Sequence, residues 1–450
     1  MNIEPRRIAM VAACPFPANH GTPGAIRELS LALDRLGHEV HLVTYPIGED
    51  LTVEGLNMHR VSSGGISKTQ KITIGPSYGR LVYDALLVPK LIEVIKRHRI
   101  DVIHAHNYEA AIAGAMAKWA TGVPLVYNGI NSMADELPSY DFFQSASLAR
   151  WLGKVLDRFV PSAGDAMIVL SDELRTYLES LGLPKEKLVV IPPGVTAQDF
   201  EGGDASLVRK RHGLAEDVPI VMYTGALEAF QGVDCLVRAM VRVIEHHANA
   251  ALMIVNNIPN EPMRKRLVRI ARQLGIEKNM IIVESVPLSE LPHYLAASDV
   301  AVVPRLACPG FPIKLLNYMA AGRAIVSFEG SAKCLCHGYN GYVCKNGDEV
   351  DMAEGIRLLL DDPKLRATLG ARARQSLDGI YDWETLARAT SVIYEQVIHA
   401  KKPLDLGALA THLKANYKPR FVPGGRDNPD GFLQSGPVEY DVFQSVERVA

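Results

Sequence analysis

The chain has 450 residues, and at roughly 150 residues per domain it has room for two or three domains. Its residues are 48% hydrophobic and 22% charged, which is typical of a folded protein and excludes a largely disordered or fibrous chain. The 48 Lys and Arg residues against 50 Asp and Glu residues leave a formal net charge of -2, so no overall basic field would attract a nucleic acid. Any site for an anion must therefore be local.

The cysteines and the apolar segments indicate a cytoplasmic protein. Six cysteines spread over the chain do not form a disulfide framework, which favours a reducing compartment. The apolar run Ile8–Ala13 is too short for a signal-peptide core, and no run approaches the ~20 residues of a membrane span. Any contact with a membrane is expected to be peripheral, at its inner face.

Short apolar runs separated by helical or loop segments recur along the first half of the chain, which is typical of parallel α/β structure. Between the first two runs, the spacing of Ile26, Leu29 and Leu33 predicts a helix over 22–36 that Gly37 ends. The predicted strands are Arg7–Ala13, Glu39–Thr44, Asp101–Ala105, Pro124–Tyr127, Ala166–Leu170 and Leu188–Ile191.

After the turn-rich segment Ile191-Pro192-Pro193-Gly194, the same rhythm restarts. The predicted strands of this second half are Ile220–Thr224, Ala251–Val255, Met280–Val283, Asp299–Val303 and Ala324–Phe328. The predicted fold class is therefore α/β, with two doubly wound Rossmann-like domains that face a central cleft.

The predicted limits are 1–193 for the N-terminal domain and 194–383 for the C-terminal domain. A closing helix at 384–400 and an irregular tail at 401–450 follow. Ligands of open α/β sheets bind at the carboxyl ends of the strands, so the cleft is the expected site.

Each predicted domain begins with a glycine-containing loop between a strand and a helix. Gly21 opens the first helix of the N-terminal domain, and Gly225 follows the first strand of the C-terminal domain. Backbone N–H groups at a helix start bind anions, and glycine allows a close approach. The loop at Gly21 lacks the full G-x-G-x-x-G spacing, so a plain strand-to-helix turn is the alternative there.

Two cations stand at the start of a later helix. Arg305 follows a predicted strand, and Lys314 lies near the beginning of the helical segment Gly310–Gly322. Beside free backbone N–H groups, two cations suit a diphosphate, whose negative charge grows as a bond to it breaks. Solvated surface charges are the alternative.

From Arg7 to Ala400, the sequence resembles the GT-B glycosyltransferases of family 4. The similarity is carried by the Gly21 loop, Gly37-His38-Glu39-Val40, Ile191-Pro192-Pro193-Gly194-Val195, the Gly225 loop, and Gly310-Phe311-Pro312 through Met319-Ala320-Ala321-Gly322. The resemblance implies a GT-B fold and transfer of a sugar from a nucleotide-diphosphate sugar to an acceptor with retention of configuration. It implies no cofactor.

The resemblance also assigns the site. Arg305 and Lys314 would be catalytic through the diphosphate. The donor-binding residues would be Gly21, Thr22, Gly225, Glu228, Gln231, Phe311, Ile313, Leu315 and Asn317. The acceptor, whether a saccharide, a lipid-linked compound or a small molecule, would contact His106, Asn107, Asn131 and Glu136. For His106, which shares one face of a strand with His104, a structural role in the core is the alternative.

The family's E-x7-E pattern falls on Pro309 and Asn317, so both glutamates are replaced. Asn317 would stand at the ribose position with an amide in place of a carboxylate. Two alternatives follow from the missing glutamates. One is a catalytically silent GT-B subunit that binds a nucleotide and acts on a partner enzyme; the less favoured one is a nucleotide-sugar epimerase, which needs acid/base carboxylates or histidines in the cleft.

No metal ion is expected. The chain contains no Asp-x-Asp, and the spacing of Cys334, Cys336, His337 and Cys344 matches no common zinc site. The basic segment Arg264–Arg272 could contact an anionic bilayer, although a solvated basic face is favoured.

Overall fold

The computed structural model describes residues 4–17, 21–48, 53, 55–62, 78–139, 143, 145–256, 259–308 and 310–399. Three subjects of the sequence analysis, Pro309, Ala400 and the tail at 401–450, lie outside the described residues.

Thirteen strands in the described part of the chain form two sheets, and every neighbouring pair is parallel. The first sheet contains β1 (Arg7–Ala12), β2 (Glu39–Thr44), β3 (Asn57–Arg60), β4 (Val102–His106), β5 (Leu125–Gly129), β6 (Ala166–Val169) and β7 (Leu188–Val190). The second contains β8 (Ile220–Thr224), β9 (Ala251–Asn256), β10 (Met280–Glu284), β11 (Val300–Val303), β12 (Ala324–Phe328) and β13 (Tyr342–Cys344).

Helices cover both faces of each sheet. They are α1 (Gly21–Arg35), α2 (Tyr78–His98), α3 (Tyr108–Thr121), α4 (Met133–Glu136), α5 (Ala146–Ser162), α6 (Asp172–Ser180), α7 (Ala205–Arg211), α8 (Val233–His246), α9 (Glu261–Gln273), α10 (Leu291–Ala297), α11 (Ile313–Ala320), α12 (Glu349–Asp361), α13 (Pro363–Gln375) and α14 (Trp383–His399). None of these described helices combines the length and the apolar character that crossing a bilayer requires.

Local sequence signals explain where several helices begin. Side-chain oxygens of serine, aspartate and asparagine accept backbone N–H groups of the first turn, which would otherwise lack partners. These capping residues are Ser132, Ser145, Ser171, Asp204, Asn260, Asp348 and Asp362.

The strand order confirms the predicted pair of doubly wound sheets. It is β3-β2-β1-β4-β5-β6-β7 in the N-terminal sheet and β10-β9-β8-β11-β12-β13 in the C-terminal sheet. The order reverses between β1 and β4 and between β8 and β11, and a crevice opens at each such switch point. Gly21 and Gly225 follow β1 and β8, so both predicted loops lie at a switch point.

Every predicted strand is confirmed to within one or two residues, and two further strands were not predicted. Both β3 and β13 lie at a sheet edge, and both are short.

The closing helix, α14, crosses back to the N-terminal sheet. Trp383, Leu386 and Ile393 share one apolar cluster with residues of β1 and α1. The chain crosses nearby in the other direction, where the Val195 N–H donates to the Tyr381 carbonyl at 2.8 Å. The two domains are therefore joined by two adjacent crossings, while the predicted limits at 193 and 383 stay predictions.

Candidate active site

A cleft of about 320 Å³ opens between the two sheets, at the carboxyl ends of β8, β9 and β11. Gly21 and Thr22 at the start of α1 form its N-terminal wall. The remaining wall comes from the C-terminal domain: Thr224, Gly225, Ala226, Gln231, Val255, Val286, Pro287, Leu288, Leu291, Arg305, Phe311, Pro312, Ile313, Lys314 and Asn317.

Lys314 is held in this cleft by contacts from β8 and the loop after it. Its Nζ donates to Tyr223 Oη at 2.7 Å and to Gln231 Oε1 at 3.0 Å, and it lies 4.0 Å from the centroid of the Tyr223 ring. Burial, with a smaller contribution from the Arg305 guanidinium, lowers the pKa of Lys314 to about 7. An anion entering the cleft would favour the charged form of the amine.

Gly225 permits this position of the lysine. Its φ is +121°, a conformation that disfavours residues with a side chain, and a Cβ at this position would lie 3.0 Å from Lys314 Nζ. The Gly225 N–H donates to the Val255 carbonyl at 2.9 Å, which ties the loop to β9. The absence of a side chain at Gly225 therefore lets the backbone lie close to the Lys314 ammonium group.

Arg305 supplies the second cation of the cleft. Its guanidinium carbon lies 4.8 Å from the centroid of the Phe230 ring, and its Nε donates to the Ala307 carbonyl at 2.8 Å. The Arg305 carbonyl accepts from Ser331 Oγ at 2.7 Å. The ring and the two hydrogen bonds fix a planar, permanently charged group at the rim of the cleft.

The start of α11 lines the same cleft as these two cations. Pro312 precedes the helix and provides no side-chain cap for its first turn. Further along the helix, Tyr318 Oη accepts from the Thr224 N–H at 2.8 Å and from Thr224 Oγ1 at 3.1 Å. Because Thr224 is the last residue of β8, this pair holds α11 against the strand that carries the Gly225 loop.

Most of the predicted donor-binding residues come together here. Those that line the cleft are Gly21, Thr22, Gly225, Gln231, Phe311, Ile313 and Asn317, together with Arg305 and Lys314. Glu228 lies beside the cleft rather than in its wall, where its carboxylate accepts from Asn260 Nδ2 at 3.3 Å.

Leu315, a further predicted donor-binding residue, does not line the described wall of the cleft. Its side chain is fully buried in the apolar cluster beneath α11, and its N–H donates to the Pro312 carbonyl at 2.8 Å. Lys314 lies one position before Leu315 and Asn317 two positions after it, and both line the cleft. The side chain of Leu315 therefore points away from the cleft.

An apolar wall was missed by the sequence analysis. Val286, Pro287 and Leu288, which lie between β10 and α10, and Leu291, the first residue of α10, form one end of the cleft. The only signal for them was their position after the predicted strand Met280–Val283, at the carboxyl edge of the sheet.

Of the predicted acceptor-side residues, His106 lies in the core beside the cleft. It is 2% exposed, its ring stacks on His104 with centroids 4.4 Å apart, and its Nε2 lies 2.8 Å from Met10 Sδ. Burial lowers the pKa of His106 to about 3, so the ring is neutral. It lines a separate cavity of about 50 Å³, which shares Thr22 and Ile313 with the cleft.

The other three predicted acceptor-side residues do not line the described wall of the cleft. Asn107 has a φ of 74° at the junction of β4 and α3. Asn131 Nδ2 lies 3.4 Å from Glu136 Oε2. A Cβ at Gly310 would clash with the Ile130 carbonyl and with Asn131 Oδ1, so the loop before α11 touches the N-terminal domain here. This contact brings Asn131 close to the donor-side loop.

The remaining sequence features lie away from the cleft. Among the described residues, Cys334, Cys336, His337 and Cys344 do not form a group of three ligands able to hold one ion. Four cations of the basic segment face carboxylates: Arg264 and Lys265 pair with Glu261, Arg266 with Asp234, and Arg272 with Glu277. These ion pairs favour the solvated basic face, which stays a prediction.

The sequence matches two family profiles. Residues 21–199 match the family described as Glycosyltransferase Family 4, and residues 204–376 match the one described as Glycosyl transferases group 1. A D-inositol 3-phosphate glycosyltransferase from Kribbella flavida is 26% identical, over 86% of this chain and 95% of that protein. An uncharacterized glycosyltransferase from Methanocaldococcus jannaschii is also 26% identical, over 82% of this chain and 92% of that protein.

Solved structures show the same fold. Sucrose-phosphate synthase from Thermosynechococcus elongatus superposes with a TM-score of 0.72 at 19% identity, over 87% of this chain and 98% of that one. The HepE protein of Anabaena, in complex with UDP and glucose, superposes with a TM-score of 0.71 at 16% identity, over 87% of this chain and all of that one. The profiles cover most of both domains, and the chain belongs to the GT-B glycosyltransferases of family 4.

Proposed function

We propose that this glycosyltransferase takes a sugar from a nucleoside-diphosphate sugar and transfers it to an acceptor hydroxyl with retention of configuration. The observation that carries the proposal is the cation pair at the start of α11. Lys314 and Arg305 lie beside first-turn N–H groups that no side chain caps. A diphosphate matches this arrangement in charge and in its need for several donors.

The cleft favours a reaction that depends mainly on stabilising the leaving group. As the bond from the sugar to the diphosphate breaks, negative charge grows on the phosphate oxygen, where Lys314 and Arg305 would stabilise it. Of the described residues that line the cleft, none is Asp, Glu or His, so no side chain there offers a carboxylate nucleophile. Retention is then explained by a departing diphosphate oxygen that takes the acceptor proton on the face it leaves.

The same lining argues against the epimerase. An epimerase moves a proton on and off the sugar and needs a pair of acid/base groups. The described wall of the cleft holds Lys314 as its titrating side chain with a pKa near neutrality, and Lys314 is engaged by Tyr223 and Gln231. Sugar transfer does not need such a pair of acid/base groups, so these residues suit it better than they suit epimerisation.

The rest of the cleft suits the nucleoside. The apolar wall at Val286, Pro287 and Leu288 would pack against the base. Asn317 lines both the cleft and an adjoining cavity of about 110 Å³, a position from which its amide would bind ribose hydroxyls. We also propose that transfer is independent of a metal ion, which the lining of the described wall supports, and that turnover persists in EDTA. Loss of turnover that magnesium or manganese restores would contradict this part.

Measurements of donor binding and of transfer distinguish the enzyme from the silent subunit. Calorimetry with uridine and guanosine diphosphate sugars is expected to show micromolar-to-millimolar binding of at least one donor, followed by release of the nucleotide when an acceptor is present. Binding without transfer or hydrolysis over a broad acceptor panel would favour the silent subunit. No binding of any nucleotide or nucleotide sugar would reject both.

We also propose that the protein works in the cytoplasm and touches a membrane through its N-terminal domain. Six large apolar side chains on the neighbouring helices α3 and α5 are exposed, with Trp119 at 91% and Trp151 at 62%. The other four are Ile112, Met116, Leu148 and Phe159. The cations Arg150, Lys154 and Arg158 are exposed along the same side of α5. Aromatic and basic side chains on one surface are typical of contact with an anionic bilayer.

A further inference from the structure

Three histidines that do not line the cleft lie close together: His41 on β2, His59 on the edge strand β3, and His98 at the end of α2. The ring centroid of His41 lies 5.3 Å from that of His59 and 4.2 Å from that of His98, and those of His59 and His98 are 5.0 Å apart. His41 is buried, and the other two rings are half-buried. Nothing in the proposed transfer reaction uses this cluster.

The spacing of the nitrogens is close to that of a metal site. One ring nitrogen from each histidine can be chosen so that all three lie within 4.8 Å of one another. His41 Nδ1 and His59 Nε2 are already 3.1 Å apart. Tetrahedral zinc with Zn–N bonds of about 2.0–2.1 Å places its ligand nitrogens about 3.3 Å apart. A shift of about 1–1.5 Å in the His98 ring would therefore complete three corners of a tetrahedron.

An outer carboxylate orients the buried ring. His41 Nε2 lies 2.9 Å from Glu39 Oε1, so the ring donates its Nε2–H to the carboxylate and presents Nδ1 as the acceptor. A carboxylate that accepts from the far nitrogen of a liganding imidazole is the usual second partner in zinc sites. In the metal-free protein, His59 Nε2–H then donates to His41 Nδ1; metal binding needs the other neutral form of His59, with its proton on Nδ1.

The surroundings leave the cluster close to electrically balanced. The acidic groups that face it are Glu39 and Glu93, and the basic ones are Arg7 and Lys90. Lys90 itself contacts Glu93, with its Nζ 3.1 Å from Oε2. A divalent cation would therefore meet no uncompensated positive charge from these groups.

We propose that His41, His59 and His98 bind one zinc ion, with water in the fourth position on the half-exposed side. Neutral imidazole is a preferred ligand of zinc, and a site with three protein ligands keeps one position open. The ion would join the edge strand β3 to β2 and to the end of α2. It would stabilise the N-terminal domain without entering the transfer reaction.

The test is titration of the full chain, stripped of metal by chelation and free of any histidine tag, with zinc chloride in a calorimeter. The expected result is one ion per chain with a micromolar or tighter Kd and a zinc-dependent rise in Tm. His98→Gln and His59→Gln should each weaken binding by at least about 100-fold, and Glu39→Gln by about 10–100-fold. His246→Gln, which removes an exposed histidine from α8, should bind as the wild type does.

Far-UV circular dichroism of each variant without zinc confirms that it is folded. Should His59→Gln unfold, His98→Gln decides, since that ring lies half-buried at the end of a helix. No binding below about 100 μM zinc, or binding that His98→Gln leaves unchanged, would overturn the proposal. Sugar transfer is expected to be equal with and without bound zinc, so this test stands apart from that of the transfer reaction.

Discussion

The ammonium group of Lys314 lies where both burial and the Arg305 guanidinium oppose its charge. The hydrogen bonds to Tyr223 and Gln231 hold it in place, yet neither partner carries a compensating negative charge. An anionic ligand supplies that charge. Relief of the repulsion between the two neighbouring cations then favours the binding of a diphosphate. Residue chemistry thus argues for a phosphate ligand independently of any relative.

Loss of either cation should impair the reaction itself. Arg305→Ala and Lys314→Ala are each expected to lower kcat/KM by about 10²–10³-fold, the effect of removing one preorganised charge-stabilising donor. Steady-state kinetics with the preferred donor measures this, and Lys278→Ala, an exposed lysine of the same domain, is the matched control. Near-normal turnover in both variants would remove these residues from the site.

Donor affinity should also depend on pH through Lys314. With a pKa of about 7 in the free protein, the amine is charged below pH 7, and above it each binding event must take up a proton. The Kd for the donor is therefore expected to rise from pH 7 to pH 9 by up to about tenfold per unit. In Lys314→Arg, which keeps its charge throughout, calorimetry should show a flat profile; a profile as steep as that of the wild type would assign the effect to another group.

At the scale of elements, the sequence predicted the strands that contain an apolar run. The strands β1 and β4 are buried almost throughout, and such runs are visible without a structure. The edge strand β3 reads Asn57-Met58-His59-Arg60, which has no apolar run, and β13 has three residues; both form because a neighbouring strand offers hydrogen bonds. The burial of the Leu315 side chain was not predicted for a related reason, since the resemblance covered a helix but did not say which side chains face inward.

Contacts between elements that are distant along the chain could not be predicted from the sequence. The periodicity of α14 predicts a helix, but not that Trp383 and Ile393 pack on the N-terminal sheet. The apolar wall of the cleft at Val286–Leu288 follows a strand, yet only the neighbouring strands show that it faces Lys314. The shared position of Arg305 and Lys314 in the cleft was predictable because both follow one strand, β11, within eleven residues.

The placement of α11 by Tyr318 has a measurable consequence. Tyr318→Phe removes the acceptor for the buried Thr224 N–H and should lower the free energy of unfolding by about 1–3 kcal/mol. Urea denaturation measures the loss, and donor affinity should fall as well because α11 carries Lys314. Unchanged stability and unchanged affinity would show that the hydrogen bond does not hold the helix.

At the scale of the whole molecule, the two crossings between the domains and the contact of Gly310 with Ile130 set the width of the cleft. In the proposed reaction the donor lies mainly against the C-terminal domain, while the exposed apolar and basic surface of α3 and α5 belongs to the N-terminal domain. A bilayer at that surface would lie on the acceptor side of the molecule. The division of roles between the domains is thus consistent with an acceptor presented at a membrane.

Vesicle flotation tests this surface. The protein is expected to float with vesicles that contain phosphatidylglycerol and to stay behind with phosphatidylcholine alone, since Arg150, Lys154 and Arg158 require anionic lipid. Trp119→Ser with Trp151→Ser should reduce the bound fraction several-fold, whereas Arg264→Ser, on the ion-paired face of α9, should leave it unchanged. Binding to neither kind of vesicle would count against the membrane contact, and equal binding to both would count against a role of the three cations.

The most direct test of the proposed reaction is a proton NMR time course of the purified protein with a bound nucleotide sugar and an acceptor, read at the anomeric proton. The account predicts release of the nucleoside diphosphate and a product with the anomeric configuration of the donor, and both signals should be lost in Lys314→Ala. A product of inverted configuration, or an isomerised nucleotide sugar without release of the nucleotide, would contradict it.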